Sequence, residues 1–553
     1  MVKHDIARLL DRAVAAAQER DLLPAVSLPE IPIERPANPT HGDYASSLPL
    51  KLARAARMAP LTIAQRIADQ IDVNNVDFLE QVTVAAPGFI NFTLDGKWLQ
   101  NQVEAIVTAG PRYGEVDIGA GRRVQIEFVS ANPTGHLTAA SGRAGAFGDA
   151  LANVMAAAGF AIEREYYINN AGSRMDVFYA SIWARYHQLL GHQAEIPADG
   201  YHGESIVQVA QQILDEHGDL FLKLQPDEAM RQVGQIGLDK MVEAARADLG
   251  WLGIRYDVWF SEQSLFDTGL VARVLDLLRE RGVITEREGA VWFTSTALGE
   301  DKDNVLIRSN GVPTYFASDI AYHYDKFVTR GFDQVINIWG ADHQGHVPRM
   351  IAAVGALGID PARLTILVHQ LITLRRGEEI IRMSKRTGNV VTLHEVLEEV
   401  GPDACRFFFL SRSADTQMDF DLELAKTQSN ENPVYYVQYA HARIASILRY
   451  AGELADEEGD VSVLTDPAEH TLIRKMLQLP ELVETAALNA EPHHLPFYAQ
   501  DLAATFHSFY TQCRVVSSDE PELSRARLML VRAAKTVLAN TLRLMGVTAP
   551  DQM

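Results

Sequence analysis

Residues 382–389, Arg382-Met383-Ser384-Lys385-Arg386-Thr387-Gly388-Asn389, place three cations within five positions beside a hydroxyl and just ahead of a glycine. Such a run suits a polyphosphate: point charge and close backbone approach both act on phosphate oxygens. A solvated basic turn is the plain alternative, but ordered sequence flanks the run on both sides. Thr373 to Glu379 reads as a hairpin leading in, and Val390 to Leu393 leads out into a helix. A second constellation, Tyr315, Asp319 and Tyr322, falls at i, i+4 and i+7, so a carboxylate and two phenols share one helix face. A buried carboxylate needs a partner, and a planar guanidinium is its best bidentate one; an internal arginine would serve as well as a ligand. A third, Asp342, His343 and His346, has metal-ligand chemistry. It lacks a cysteine and the His-Glu-x-x-His pattern, so no metal is expected there.

These groups require a frame that brings them together. Arg123 to Val129 is an apolar strand running through Ser130-Ala131-Asn132-Pro133-Thr134-Gly135 into a helix of small residues, the opening of a doubly wound nucleotide-binding sheet. Gly142, Gly145 and Gly148 recur every third residue, which is not the dinucleotide spacing. For Gly145 and Gly148 close packing is the better reading. Glu163 and Glu165 follow where a ribose-binding acid would fall, so a nicotinamide oxidoreductase is the competing class. It leaves the carboxy-terminal half unexplained. Arg164 to Gly172 is a further strand ending in polar turn residues, Val335 to Trp339 reads as a buried parallel strand, and Val368 to Leu371 precedes the basic run.

The Met383-Ser384-Lys385-Arg386-x-Gly388-Asn389 run resembles the Lys-Met-Ser-Lys-Ser loop of class I aminoacyl-tRNA synthetases, in the form found in arginyl-tRNA synthetases. The resemblance covers nearly the whole chain and is strongest from 313 to 445. It implies a Rossmann-like class I catalytic domain over 116–412 with an insertion at about 180–300. An N-terminal α+β domain that contacts tRNA, 1–115, would precede it, and an all-helical anticodon-binding domain, 413–553, would follow. The activity implied is ATP-dependent activation of L-arginine and its transfer to tRNA(Arg), with Mg²⁺ arriving on ATP. By resemblance Glu127, Asn132, Tyr315, Asp319 and Tyr322 line the arginine pocket. His136, Gly142, Gly340, Asp342, His343, His346, Gln370, Met383 and Lys385 contact ATP. Lys385 holds the β and γ phosphates, with Ser384, Arg382 and Arg386 in support.

The chain departs from the family at one place. Aligned through Ser130–Gly135 and Gly142–Arg143, the family's His-Ile-Gly-His element becomes Thr138-Ala139-Ala140-Ser141. Thr138, Ser141 and His136 are the candidate substitute donors. A paralogue that binds tRNA but has lost or altered catalysis is the alternative that this departure raises.

The remaining sequence sets bounds. A formal net charge of −22 over 553 residues excludes a protein that coats nucleic acid through general basicity, while leaving room for local contacts. Cys405 and Cys513 offer neither a metal spacing nor a disulfide framework, which suits a reducing cytoplasm. Met1 to Arg20 has apolar residues at helical spacing and no signal-peptide core, and no segment is long enough to cross a bilayer. Tyr435 and Tyr439 repeat at helical spacing; with His441, Arg443 and Gln438 they are candidates for stacking on and hydrogen bonding to RNA bases, whereas Tyr436 reads as core. An acidic linker near 452–461 leads to amphipathic helices, the last carrying Arg525, Arg527, Arg532, Lys535 and Arg543 and stopping at Gly546. A monomer is expected.

Overall fold

The protein is described by a computed structural model over residues 1–381 and 391–553. Five parallel strands form its central sheet: β1 (Arg123–Phe128), β2 (Ala161–Ile168), β3 (Val258–Ser261), β4 (Gln334–Gly340) and β5 (Leu364–His369), in the order β5-β4-β1-β2-β3. Val124 to Phe128 are all buried because helices cover both faces. Strand order reverses between β1 and β4, and it is at the carboxyl ends of the strands beside such a reversal that sheets of this kind bind ligands.

Helix α1 (Ala139–Ala157) returns from β1, and its small residues let it lie close to the sheet. A Cβ at Gly148 would stand 2.3 Å from Cγ of Phe128, and one at Gly145 would stand 2.7 Å from Cδ1 of Ile254. Packing, as the spacing suggests, accounts for both glycines. Helix α2 (Tyr315–Tyr324) lies against β2, β3 and β4, its Tyr322 ring meeting Tyr167 and Phe260 and its His323 meeting Asn337.

Inserted between β2 and α2 are the helices Ser173–Leu189, Glu204–His217 and Pro226–Trp251, which share an apolar cluster of their own. An antiparallel sheet of Ile284–Arg287, Ala290–Phe293 and Asn304–Ile307 follows. Strand β3 lies within the 180–300 stretch read as insertion, yet it pairs with β2 and edges the main sheet. The insertion therefore comes in two pieces.

The N-terminal unit has the helix Val2–Glu19, the helices Leu48–Ala56 and Pro60–Ala68, and an antiparallel sheet with Phe89–Leu94 between Tyr44–Ser46 and Leu79–Ala85. At the other end, α3 (Pro433–Ala451), the helices Pro467–Met476, Gln478–Asn489 and His494–Gln512, and α4 (Pro521–Met545) make a helical bundle. The two ends meet. Arg35 donates to both oxygens of Glu481 at 2.9 and 3.0 Å, and Arg474 lies 2.6 Å from Asp43. Met418–Asp421 pairs in parallel with Ile372–Arg376, which places these residues with the hairpin leading to the basic run and not with the bundle.

One buried guanidinium ties three of these parts together. Arg406, 1% exposed, donates to the carbonyls of Met545 and Leu252 at 2.7 and 3.0 Å and to Asp149 of α1. Arg406→Met leaves Asp149 with Arg164 as its one remaining cation, at 3.2 Å, and strands the carbonyls of Met545 and Leu252, and chemical denaturation is expected to read a loss of about 2–3 kcal/mol.

Candidate active site

The loop after β1 carries backbone strain. Val129 and Ser130, neither of them glycine, adopt φ of +70° and +41° in succession. Tyr167 donates its peptide N–H to the Ser130 hydroxyl at 3.1 Å, and Asn169 donates to the Ser130 carbonyl at 3.1 Å. Strain of this kind gathers where a loop is held for a ligand.

Beside that loop three carboxylates converge. Asp319 stands on α2, Glu127 on β1, and Glu262 immediately after β3. Glu262 is 2% exposed; one oxygen accepts from Ser318 Oγ at 2.7 Å, and the other is buried without a partner among the described residues. Burial raises its pKa. Burial, then the neighbouring Glu262 and Glu127, push Asp319 up to about 7, against the opposing pull of Arg349 and Lys326. Tyr315, 43% exposed, stands at the pocket mouth with the Arg174 guanidinium 5.6 Å from its ring centre. An excess of anionic groups in a desolvated pocket is the complement of a guanidinium.

Glu262 is missing from the residues read out of the sequence. Its only signal there is an acid at the carboxyl end of a short strand. Glu127 does not stand free: Lys326 Nζ lies 2.6 Å from its Oε2. Tyr322 is a correction to the sequence reading. It is 2% exposed and donates to Glu165, so it serves the core and not the pocket. Asn132 is exposed in the loop after β1.

Titration of this pocket has a sign. A cation requires Asp319 ionised, and its raised pKa leaves it protonated below about 7, so binding must expel a proton there. The KM for a guanidinium substrate is expected to rise as pH falls from 8 to 6, by up to about tenfold per unit below the midpoint. Steady-state kinetics across that range checks it.

A second set of groups lies at the amino terminus of α1. Thr138 caps the helix, its N–H 3.4 Å from Ser141 Oγ and the two hydroxyls 3.5 Å apart. Both residues are half-buried, with polar atoms at the positive end of a 19-residue helix. Here the exit of the basic run is fastened: Leu393 N–H donates to Leu137 O at 2.7 Å, and Thr392 bridges Thr138. Its entry is fastened by Ile381 N–H to Leu374 O at 2.9 Å. Arg382, Met383, Ser384, Lys385 and Arg386 lie outside the described residues.

Gly142 is a further correction. Its N–H donates to Thr138 O at 3.0 Å, and an added Cβ would stand 2.6 Å from Leu393, so it serves packing and not phosphate. His136 is exposed and meets Gln208 Oε1 at 3.1 Å. Across the reversal, Gly340 ends β4 with Asp342 and His369 against it. His343 and His346 rings lie 5.4 Å apart. The Gln370 carbonyl takes a hydrogen bond from buried Arg143 at 3.0 Å. Among the described residues no three His, Cys, Asp or Glu side chains group as a metal site.

Residues 3–94 match the arginyl tRNA synthetase N-terminal domain, and 102–425 match the catalytic domain of class I (R) tRNA synthetases. The chain belongs to the arginyl-tRNA synthetase family. Residues 437–553 of the synthetase match the DALR anticodon-binding domain. It is 52% identical to the arginine–tRNA ligase of Dehalococcoides mccartyi over 554 aligned residues, covering 100% of this chain and 99% of the relative. The arginine–tRNA ligase of Heliobacterium modesticaldum is 50% identical over 561 aligned residues, at 100% and 99% coverage. The fold is that of the Thermus thermophilus arginyl-tRNA synthetase, with a TM-score of 0.78 at 24% identity and full coverage of both chains. The oxidoreductase reading falls with this assignment.

The synthetase's aromatic helix, α3, divides between core and surface. Tyr435 and Tyr439 stack with ring centres 6.2 Å apart, Tyr439 being 38% exposed, and the Arg443 guanidinium stands 4.8 Å from the Tyr510 ring centre. His441 and Gln438 correct the base-reading set. His441 is 2% exposed with Nδ1 2.8 Å from Pro550 O, and Gln438 donates to Asp403 and Thr548. On α4 the cations are engaged internally: Arg527 with Glu469, Lys535 with Asp551, and Arg543 with Pro111 O. No described helix is long and apolar enough to cross a membrane.

Proposed function

We propose that this arginine–tRNA ligase recognises the arginine side chain with Asp319 and Glu262, and runs its phosphate chemistry from the basic run and a hydroxyl pair in place of two histidines. The carboxylate of L-arginine attacks the α-phosphorus of ATP, the bond to the β-phosphate oxygen breaks, and pyrophosphate leaves. A hydroxyl of the terminal ribose of tRNA(Arg) then attacks the adenylate's carbonyl carbon and releases AMP, its proton passing to solvent. Glu262, with its unpartnered buried oxygen beside Asp319, is the observation that carries the reading, because a guanidinium satisfies both acids at once. Tyr315 closes over the aliphatic part of the substrate, and Asn132 and Glu127 border the pocket.

ATP enters as its Mg²⁺ complex. Thr138 and Ser141 donate hydroxyl protons to its phosphates at the α1 amino terminus. Gly340, Asp342, His343, His346, Gln370 and Met383 border the nucleotide, while Lys385, supported by Ser384, Arg382 and Arg386, stabilises the leaving pyrophosphate. Stacked Tyr435 and Tyr439 with Arg443 meet the anticodon. Two buried free thiols, Cys405 and Cys513, suit a cytoplasmic enzyme, and we read it as a monomer.

Transfer of labelled arginine to total tRNA of the source organism, with ATP and Mg²⁺, tests the reading. Charging with arginine and with no other amino acid is expected, and a protein that binds tRNA without charging it would overturn it. Thr138→Ala and Ser141→Ala are each expected to lower kcat roughly tenfold, the value of one donor to developing charge at partial exposure, with the KM for arginine unchanged. Pyrophosphate exchange in the presence of tRNA measures both.

A further inference from the structure

Beneath the arginine pocket lies a lysine that the reaction so far leaves without a task. Lys326 is 0% exposed and sits in the π-helical turn Asp325–Thr329 that follows α2, a local irregularity often retained at functional places. Its Nζ donates to Glu127 Oε2 at 2.6 Å and to Asn337 Oδ1 at 3.0 Å, and it stands 4.0 Å from the Tyr322 ring centre. Asn337 Nδ2 lies 2.8 Å from His323 Nε2, and His323 Nδ1 lies 2.7 Å from the Asp319 carbonyl. Asn337 and His323 are themselves buried.

An ammonium only donates, and that orders the chain of bonds. Asn337 must turn its oxygen to Lys326 and its NH₂ to His323. His323 must then accept on Nε2, keep its proton on Nδ1 and donate to the Asp319 carbonyl. Burial and the nearby Lys326 charge hold His323 neutral, with a pKa of about 3, consistent with that single arrangement. Elsewhere a buried ion pair contributes little to stability over an apolar core, so its place under three converging acids asks for another reason.

We propose that Lys326 is a positioning residue for arginine recognition, fixing the Asp319 turn through Asn337 and His323 and supplying the standing positive charge under the pocket. The proposal rests on the reading of that pocket as the arginine site. The charged groups acting on Asp319 are Glu262 after β3, Glu127 on β1, Arg349 beyond β4 and Lys326 itself. Lys326 thus withdraws Glu127 from the incoming guanidinium and favours an ionised Asp319.

The test is steady-state charging by the full chain across pH 6–9 with arginine and ATP varied separately. Lys326→Met is expected to raise the KM for arginine about 30-fold and to move the pH midpoint of that KM up by about one unit, with the KM for ATP within threefold of the parent. A folded Lys326→Met protein with unchanged arginine KM and midpoint overturns the proposal. If circular dichroism shows that variant unfolded, Asn337→Leu decides, because it cuts the relay and leaves the Lys326–Glu127 pair. A rise of about tenfold in arginine KM alone supports the proposal, and no rise overturns it. Asp319→Asn run alongside separates the two readings: if it leaves arginine KM unchanged the pocket itself is misassigned, whereas if it raises KM and the Lys326 variants do not, only this inference fails.

Discussion

Asp319→Asn raises the KM for arginine by about 10²–10³-fold while the KM for ATP stays put. The substitution keeps the shape of the side chain and removes its charge, and breaking one member of a buried charge pair costs about 2–5 kcal/mol in binding. Glu262 remains on the other side of the guanidinium, which is why some binding survives. A neutral isostere of arginine such as citrulline gains relative to arginine in the variant, because a neutral amide at this position no longer favours a cation. Competition between the two substrates in the charging assay measures that shift directly. Equal arginine KM in parent and variant would remove Asp319 from the site.

Lys385→Ala slows adenylate formation by about 10²–10³-fold with arginine KM little changed, the cost of one donor aimed at charge that appears only in the transition state. The argument is chemical. Pyrophosphate gains charge as it departs, and the basic run is fastened at its exit to the residues that open α1, by Leu393 N–H to Leu137 O and by the Thr138–Thr392 bridge. Single-turnover formation of adenylate in the presence of tRNA separates this step from arginine binding. A variant as fast as the parent would move the role to Arg382 or Arg386.

Strong local signals make the frame legible in the sequence. Val124 to Phe128 and Val335 to Ile338 are unbroken buried runs between turn residues, and both proved to be central parallel strands. Gly145 and Gly148 read as packing, and so they are. What escaped the sequence depends on which elements become neighbours. Glu262 means little until β3 reaches the sheet edge and sets it against Ser318. β3 is only four residues long and was hidden in charged helical sequence. Tyr322 shares a helix face with Tyr315 and Asp319, but the face curves from pocket to core, and Glu165 claims its hydroxyl. His441 and Gln438 point the way the bundle's closing segment dictates, toward Pro550 and Thr548, and nothing in their own helix announces it.

Arg406 has a consequence for how the molecule comes apart. Its guanidinium holds Asp149 on α1, Leu252 at the end of the inserted helices and Met545 at the end of α4. Each of these positions lies more than a hundred residues from the others along the chain, yet none can open without leaving a buried cation short of an acceptor. Subglobal unfolding needs a seam where few such bonds are broken. At this junction there is none, so the helix that presents Thr138 and Ser141 is expected to open together with the last helix of the bundle, and native-state hydrogen exchange is expected to read similar opening free energies in the two.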